Sequence, residues 1–358
     1  MQIINKIFRL QKVYIFFFSI VLFIIIFSTT YLKADAFRVS DIEISSSFDL
    51  NFKKNTVIDA GFHISFSNLL SMITTSGDKN KIKNVSTKEL KSMIDSFTIS
   101  NEKFTNNVYF AKLETSFNKK KILTFLEKKN IFPSIPIKNK VLLIPILVDI
   151  ESNSVYLFDN IFYKRWNKKK EKYQLLDYIL PTEDLEDLSK IQNMLDTIDT
   201  YDFANLIKKY DLKDHIILII YKNKDEFKTL SKINLNDSLK INNKTYSQIN
   251  LNNEEDVEKI LKKLKNTYED QWKKNNEINT SIKLPLTLSI KSGEYKKIIA
   301  LENTLNNIDL VADFYISNFD NNNTQYKIIY NGPPNFFFND MNNKNFNLVI
   351  ENNIWIIK

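Results

Sequence analysis

The N-terminal segment constrains this chain more strongly than any other part of its sequence. Residues 1–12 carry three basic side chains and no acidic one, and residues 13–32 follow without a single charged side chain. A basic start followed by an apolar run is typical of a secretory signal and also of a membrane anchor. Because the basic residues come first, both interpretations leave the N-terminus inside and the remaining chain outside the membrane. The sequence therefore predicts a protein whose folded part is exported.

Two outcomes for this segment stay open. Ala34 and Ala36 form a small-x-small cleavage site, and cleavage there would leave Phe37 as the first residue of the mature chain. The run from 13 to 32 is also about as long as the roughly 20 residues that a helix needs to cross a bilayer. Cleavage predicts a periplasmic protein. Retention predicts a single-pass inner-membrane protein whose C-terminal part lies in the periplasm.

Composition excludes several classes of chemistry. The 358 residues include no cysteine, four glycines and two histidines. Without cysteine there is no disulfide scaffold, thiolate metal site or cysteine nucleophile. Four glycines and two histidines are also too few for a glycine-rich phosphate loop or a multi-histidine metal centre. We therefore expect no cofactor and no metal, and we expect packing alone to stabilise the exported part.

The charge of the chain does not indicate a nucleic-acid partner. The formal net charge is +8, but 47 of the 50 basic residues are lysines and only three are arginines. Proteins that read nucleic acids favour arginine, because its guanidinium makes bidentate contacts to bases and phosphates. We attribute the lysine excess to a biased genome composition, and we expect no nucleic-acid partner.

Helix and strand patterns predict an α+β fold in which the hydrophobic segment, 1–36, is followed by three small α/β modules. Residues 37–137 predict the order β-α-α-β-β-α, and residues 138–279 predict a mixed α/β module. Residues 280–358 predict the order β-α-β-β-α-β, which is ferredoxin-like, with one more strand at the end.

Several elements are predicted in detail. Apolar residues at spacings of three and four predict an amphipathic helix over 58–73, and Ser86 with Glu89 forms a capping box for a second helix. Near-continuous apolar runs predict buried strands at 141–150 and 215–221. A long helix is predicted to begin after the capping residue Asn253.

No residue is assigned a catalytic role. His63 and His215 are the only histidines, and no nucleophile motif accompanies them. The densest acidic cluster comprises Glu183, Asp184, Glu186 and Asp187. These acids fit the first turn of a helix capped by Thr182, which is the interpretation we favour. The alternative is an envelope hydrolase that uses Asp and Glu on a cell-wall glycan, and it requires two carboxylates from distant segments to meet in one cleft.

One basic segment is interleaved with aromatic residues. It contains Lys164, Arg165, Trp166, Lys168, Lys169 and Lys170. A basic and aromatic segment can contact an anionic surface such as a lipid membrane or the cell wall. The alternative is a solvated loop with one buried tryptophan.

The order of segments also resembles that of a known family. The features that carry the likeness are residues 37–42 after the hydrophobic run, the helix 57–74, the segments 95–99 and 109–113 before Phe117, and residues 210–220 with Trp272 beyond them. In these features the chain resembles the bacterial envelope proteins catalogued as domain of unknown function 2066. It departs from them by lacking an alanine-, glycine- and arginine-rich first helix. The resemblance implies no activity, because none is assigned to that family.

The three-part layout is also similar, more weakly, to periplasmic flagellar-ring and outer-membrane assembly factors, whose small α/β modules bind other proteins. We therefore expect a non-enzymatic envelope protein that binds another envelope protein or helps an assembly form. Such a protein needs an exposed apolar patch or an unpaired strand edge, for example along Ile354–Ile357. The sequence leaves the oligomeric state open.

Overall fold

The computed structural model describes residues 37–358 except 83, 170–172, 225, 248, 252, 280–282, 309 and 353. The predicted signal or anchor, with Ala34 and Ala36, lies outside the described residues, whereas Phe37 is described and its side chain is buried. Among the described residues, no helix is both long and apolar enough to span a bilayer. The described residues of 39–358 form one compact unit of mixed α+β structure with three β-sheets, so the α+β part of the predicted fold class is confirmed.

The first sheet contains three strands in the order β1-β3-β2. These strands are β1 (Arg38–Ser47), β2 (Ile94–Thr105) and β3 (Val108–Phe117). The helix α1 (Lys54–Ile73) contacts one face of this sheet. It matches the periodicity predicted for 58–73, since apolar residues at helical spacing form its buried side.

Gly61 sets the distance between α1 and the first sheet. A Cβ atom at this position would lie 2.7 Å from Leu113 Cδ2 and 2.8 Å from Ile44 Cγ2. Only glycine therefore allows the helix to approach β1 and β3 as closely as it does.

Three shorter helices complete this region: α2 (Ser76–Lys81), α3 (Thr87–Ser92) and α4 (Lys119–Glu127). The predicted capping residue of α3 is confirmed, because Ser86 Oγ accepts a hydrogen bond from Glu89 N. The helix α2 is one more than the predicted order β-α-α-β-β-α contains. It forms because the Thr75 side chain caps it by accepting from Asp78 N.

The second sheet has the order β5-β4-β7-β8-β9, and β6 pairs with β4 outside this path. Its strands are β4 (Asn139–Asp149), β5 (Ser154–Tyr156), β6 (Leu176–Ile179), β7 (His215–Asn223), β8 (Glu226–Leu235) and β9 (Ser238–Ser247). The two runs predicted as buried strands are β4 and β7, which pair in parallel at the centre of the sheet. Apolar cores cover both faces of these strands, which is why their sequences are continuously apolar.

Helices lie on both faces of the second sheet. They are α5 (Ile161–Arg165), α6 (Leu185–Gln192), a 3-10 turn (Leu195–Thr197), α7 (Ala204–Lys208) and α8 (Glu254–Asn275). The predicted start of α8 is confirmed, because Asn253 accepts a hydrogen bond from Glu255 N. The buried side of α8 contributes Val257, Ile260, Leu264, Tyr268 and Trp272 to the core on one face of the sheet.

The third sheet has the order β11-β12-β10-β14-β13. Its elements are β10 (Leu284–Lys291), α9 (Tyr295–Asn307), β11 (Val311–Phe319), β12 (Asn323–Tyr330), α10 (Pro334–Asn342), β13 (Leu348–Glu351) and β14 (Ile354–Ile357). All neighbouring strands are antiparallel except β10 and β14, which are parallel. The expectation of a free edge along Ile354–Ile357 is wrong. The chain folds β13 back on β14 as a hairpin, so β14 lies inside the sheet.

Candidate functional site

A groove of about 570 Å³ lies between α1 and the edge of β2. The residues that line it are Asn55, Ile58, Asp59, Phe62, Lys91, Ile94, Asp95, Ser96 and Phe97. Ile58 and Phe62 are one turn apart on α1 and form an apolar wall. The helix α1 packs on β3, whereas β2 is the edge strand beyond it, and the groove lies between them.

Phe97 forms the open floor of this groove. It pairs with the buried Thr115 of β3, so both side chains point to the face of the sheet that carries α1. The Phe97 ring packs edge-to-face on Phe62, with centroids 5.1 Å apart and an interplanar angle of 77°. Phe97 nevertheless remains 49% exposed. Half of a large apolar ring is thus available to another molecule.

Charged side chains surround the apolar part of the groove. Asp59 of α1 and Lys91 of α3 form an ion pair at 2.7 Å. Asp95, at the beginning of β2, accepts a hydrogen bond of 2.9 Å from Asn118 Nδ2. An apolar floor inside a polar rim is the arrangement found at protein-binding sites.

The strand edge beside the groove is open and uncharged. Within the described part of the chain, no strand pairs with the second edge of β2. Residues 96–100 pair regularly with β3, between two irregularities in register, and contain no charged residue and no proline. Natural edge strands are usually protected by lysine, proline or bulges, and β9 follows this rule with Lys240 and Lys244. Residues 96–100 carry no lysine and no proline, and the two irregularities lie only at the ends of this stretch, so an extended peptide can pair with it.

A second cavity, of about 250 Å³, is polar and lies where α8 meets α1 and α2. Glu269 in this cavity accepts hydrogen bonds from Leu175 N and Leu176 N, and Lys273 donates to Ser71 O at 2.6 Å. Burial raises the pKa of Glu269 and lowers the pKa of Lys273. Since both groups bind backbone atoms of other segments, their role here is to hold α8 against α1 and β6.

Neither histidine ring has a carboxylate partner among the described residues. His63 is exposed, and its Nε2 lies 3.1 Å from Thr87 Oγ1. His215 Nδ1 lies 3.0 Å from Lys213 O. Among the described residues, no carboxylate forms a hydrogen bond or ion pair with either ring, so the orienting acid of a Ser-His-Asp triad is missing there.

The acidic cluster around residue 184 caps a helix. Asp184 accepts hydrogen bonds from Glu186 N at 2.8 Å and Asp187 N at 3.1 Å. The predicted cap, Thr182, is wrong, because the chain is still non-helical at 181–184 and α6 begins at Leu185. Lys209 binds both Asp184 and Asp187, and its hydrogen bond to Asp184 lowers the pKa of that carboxyl.

These carboxylates do not form the cleft that a glycan hydrolase requires. Glu186 pairs with Lys190 one turn further along α6, and Asp184 and Asp187 pair with Lys209. Each of these carboxylates is thus bound to a nearby ammonium. Glu183 precedes the cap and belongs to the same stretch of chain. Among the described residues, no group of three His, Asp or Glu side chains could hold a metal ion.

The basic and aromatic segment is a charged surface over a buried tryptophan. Trp166 is fully buried, with its ring stacked 6.0 Å from the Tyr268 ring at 23°. Lys164 pairs with Asp159, Arg165 with Glu254 at 2.5 Å, and Lys169 with Glu258 at 3.5 Å. Lys168 is exposed, and Lys170 lies outside the described residues. Trp166 is therefore not available to an anionic surface, and contact through the lysines stays a prediction.

The groove between α1 and β2 was not predicted as a site. The sequence does contain its components, since the predicted order β-α-α-β-β-α places a strand after the two helices, and the first of these helices is the amphipathic one at 58–73. The signal that could have indicated it is a phenylalanine and an isoleucine alternating with Ser and Thr in a short strand that contains no charge.

No protein-family model matches this chain, and no curated protein sequence matches it.

Proposed function

We propose that this protein is a non-enzymatic component of the cell envelope that binds an extended segment of another envelope protein. The binding site is the groove between α1 and β2. The observation that carries the proposal is an open, uncharged strand edge at residues 96–100 directly beside an apolar groove.

An incoming segment would pair with β2 through its backbone and place alternate side chains into the groove. The half of the Phe97 ring that is now exposed would be covered by these side chains. Covering on the order of 100 Å² of apolar surface contributes about 2–3 kcal/mol. That free energy corresponds to a factor of about 30 to 150 in the dissociation constant. Phe97 is thus the residue whose loss most directly tests the proposal.

The test uses peptides selected from a random display library on the wild-type protein. We expect the selected peptides to have apolar residues at alternate positions, and we expect Phe97→Ser to weaken their binding at least tenfold in fluorescence anisotropy. Phe110→Ser is the matched control, because Phe110 is 46% exposed and lies on the neighbouring strand with its side chain on the opposite face. Equal losses in both variants, or the failure of any peptide to bind, would contradict the proposal.

The proposal includes export. Its support is the basic and apolar N-terminal sequence, with the cleavage site Ala34–Ala36 or a retained anchor at 13–32 as the two outcomes. N-terminal sequencing and intact mass of the protein from fractionated cells distinguish them. A chain beginning at Phe37 in the periplasmic fraction indicates a cleaved signal, and a chain beginning at Met1 in the inner-membrane fraction indicates an anchor. A chain beginning at Met1 in the cytosol would contradict export.

We also propose that residues 280–358 are a variant of the ferredoxin-like fold. The support is the antiparallel order β11-β12-β10, in which β12 lies between the two strands that α9 connects. The variant differs in its last strand, since β14 occupies the position beside β10 and β13 moves to the edge. We further propose that the chain belongs to the envelope proteins of domain of unknown function 2066, which its order of segments resembles.

A further inference from the structure

A second open edge lies in the third sheet, on β11. Within the described residues, β11 pairs with β12 only, and its other edge is free. Asp313 is the one charged residue in this strand of nine, and Lys120 lies 3.6 Å from its carboxylate. The strand carries no lysine and no proline, and its two bulges leave residues 313–316 as a regular, unblocked stretch of the edge.

Apolar side chains are exposed on β11 and on the helix beside it. On β11 they are Tyr315, Ile316 and Phe319, the last of them 67% exposed. On α9 they are Tyr295 and Ile299, which are one turn apart and more than half exposed. The helix α9 contacts β11, and Glu302 of α9 accepts a hydrogen bond from Tyr326, the β12 residue that pairs with Ile316. Ile316 lies on the face that carries α9 and Tyr315 on the opposite face, so exposed apolar side chains flank the free edge on both faces of the sheet. Exposed apolar side chains grouped in this way mark an interaction surface.

The sequence of β11 is complementary to itself. Between its two bulges, residues 313–316 pair regularly with β12. A second copy placed antiparallel about a two-fold axis at Tyr315 sets Tyr315 opposite itself, Phe314 opposite Ile316, and Asp313 opposite Ser317. Ser317 lies at the second bulge and its hydroxyl donates to Gln325 O of β12. The lone carboxylate nevertheless does not face another carboxylate, which avoids the repulsion of like charges directly opposite each other. Phe314 and Ile316 both belong to the face that carries α9, because they pair with the buried Ile328 and Tyr326.

We propose that β11 pairs with β11 of a second copy, in this register, to form a two-fold symmetric dimer. The two third sheets then join into one continuous sheet, and the exposed side chains of β11 and α9 lie at the interface. An isologous contact closes after two copies, so the pairing yields a dimer rather than a fibre.

The absence of cysteine from the chain allows a direct test. The chain with Tyr315→Cys is purified in full length and oxidised at low micromolar concentration. Opposite residues in antiparallel strands have Cβ atoms about 4.5–5.5 Å apart, close to the separation in a disulfide. We expect Cys at position 315 to give a covalent dimer on a non-reducing gel. Two further variants serve as controls: Asn318→Cys, whose copies would lie about 20 Å apart in this register, and Leu239→Cys, on the edge strand β9 and 68% exposed.

Three results would overturn the proposal. Equal cross-linking at 315, 318 and 239 would indicate random collision, and stronger cross-linking at 318 than at 315 would exclude this register. A wild-type protein that remains monomeric by sedimentation velocity at 100-fold higher concentration would exclude the dimer. As a non-covalent check, Tyr315→Glu places two carboxylates opposite each other and should yield monomers, whereas Leu239→Glu should remain dimeric.

Discussion

Glu269 joins two separate segments, α8 and the start of β6, and replacing it tests how the central core is built. Its Oε1 accepts hydrogen bonds from Leu175 N at 3.1 Å and from Leu176 N at 2.8 Å, where β6 begins. Glu269→Leu would leave both buried amides without this acceptor, and each buried group left unpaired costs about 1–3 kcal/mol. Part of this cost is offset, because a buried carboxylate is itself unfavourable. We therefore expect Glu269→Leu to lower the free energy of unfolding by about 3 kcal/mol.

Glu269→Gln is the matched variant. Its amide oxygen can occupy the position of Oε1 and keep both hydrogen bonds, so we expect the free energy of unfolding to change by no more than about 1 kcal/mol. The assay is urea unfolding followed by tryptophan fluorescence in a Trp355→Phe background. The two remaining tryptophans, Trp166 and Trp272, both belong to the central core. Equal losses of unfolding free energy in the Leu and Gln variants would refute the reasoning, because the two hydrogen bonds from Leu175 N and Leu176 N would then contribute nothing to stability.

The dependence on pH supplies a second criterion for Glu269. Burial raises the pKa of this carboxyl in the folded protein above its ordinary value of 4.5. The folded form therefore binds the proton more tightly than the unfolded form does. The stabilisation from the protonated carboxyl is fully present below pH 4.5 and is lost as the pH rises through the folded pKa. The unfolding free energy of the wild type minus that of Glu269→Gln should thus be most positive in acid, and it should fall as the pH rises through the folded pKa. A difference that grows toward neutral pH would contradict this assignment.

Two further predictions concern local contacts that the structure explains directly. Gly61→Val should lower the midpoint of thermal unfolding, with a loss of about 1–3 kcal/mol, because its side chain would collide with Leu113 and Ile44; an unchanged midpoint would show that α1 can move away at no cost. Asp184→Ala should cost about 1 kcal/mol in urea unfolding through loss of the helix cap, whereas Glu183→Ala, next to it, should cost almost nothing; equal effects would contradict the capping role.

Elements whose signals are local could be predicted from the sequence. The helix α1, the capping residues Ser86 and Asn253, and the buried strands β4 and β7 follow from periodicity, side-chain chemistry and apolar runs of a few residues. These signals are strong because each depends on neighbours within one or two turns. The extra helix α2 and the start of α6 were missed, since a single capping contact decides each of them.

Contacts between distant segments could not be predicted in this way. Trp166 is buried because the ring of Tyr268 stacks on it, and Tyr268 belongs to α8, which lies far along the chain from Trp166. The strand β14 lies inside the sheet because it pairs with β10 on one side and with the preceding strand, β13, on the other. The same limit applies to the candidate site. Whether Phe97 is covered depends on how far β2 projects past α1, and nothing in the sequence of β2 alone determines that distance.

The two open edges belong to different sheets, and this separation has a consequence for binding. The strand β2 lies beside a groove that accepts side chains, whereas β11 presents protruding side chains of its own. If β11 joins two copies, the dimer carries two grooves, and a partner with two binding segments can occupy both. The second segment then binds intramolecularly, which raises the overall affinity by orders of magnitude without any new contact. Weakly binding extended segments would thus suffice for a stable assembly, and Tyr315→Glu should weaken binding of a tandem peptide while leaving binding of the single peptide unchanged.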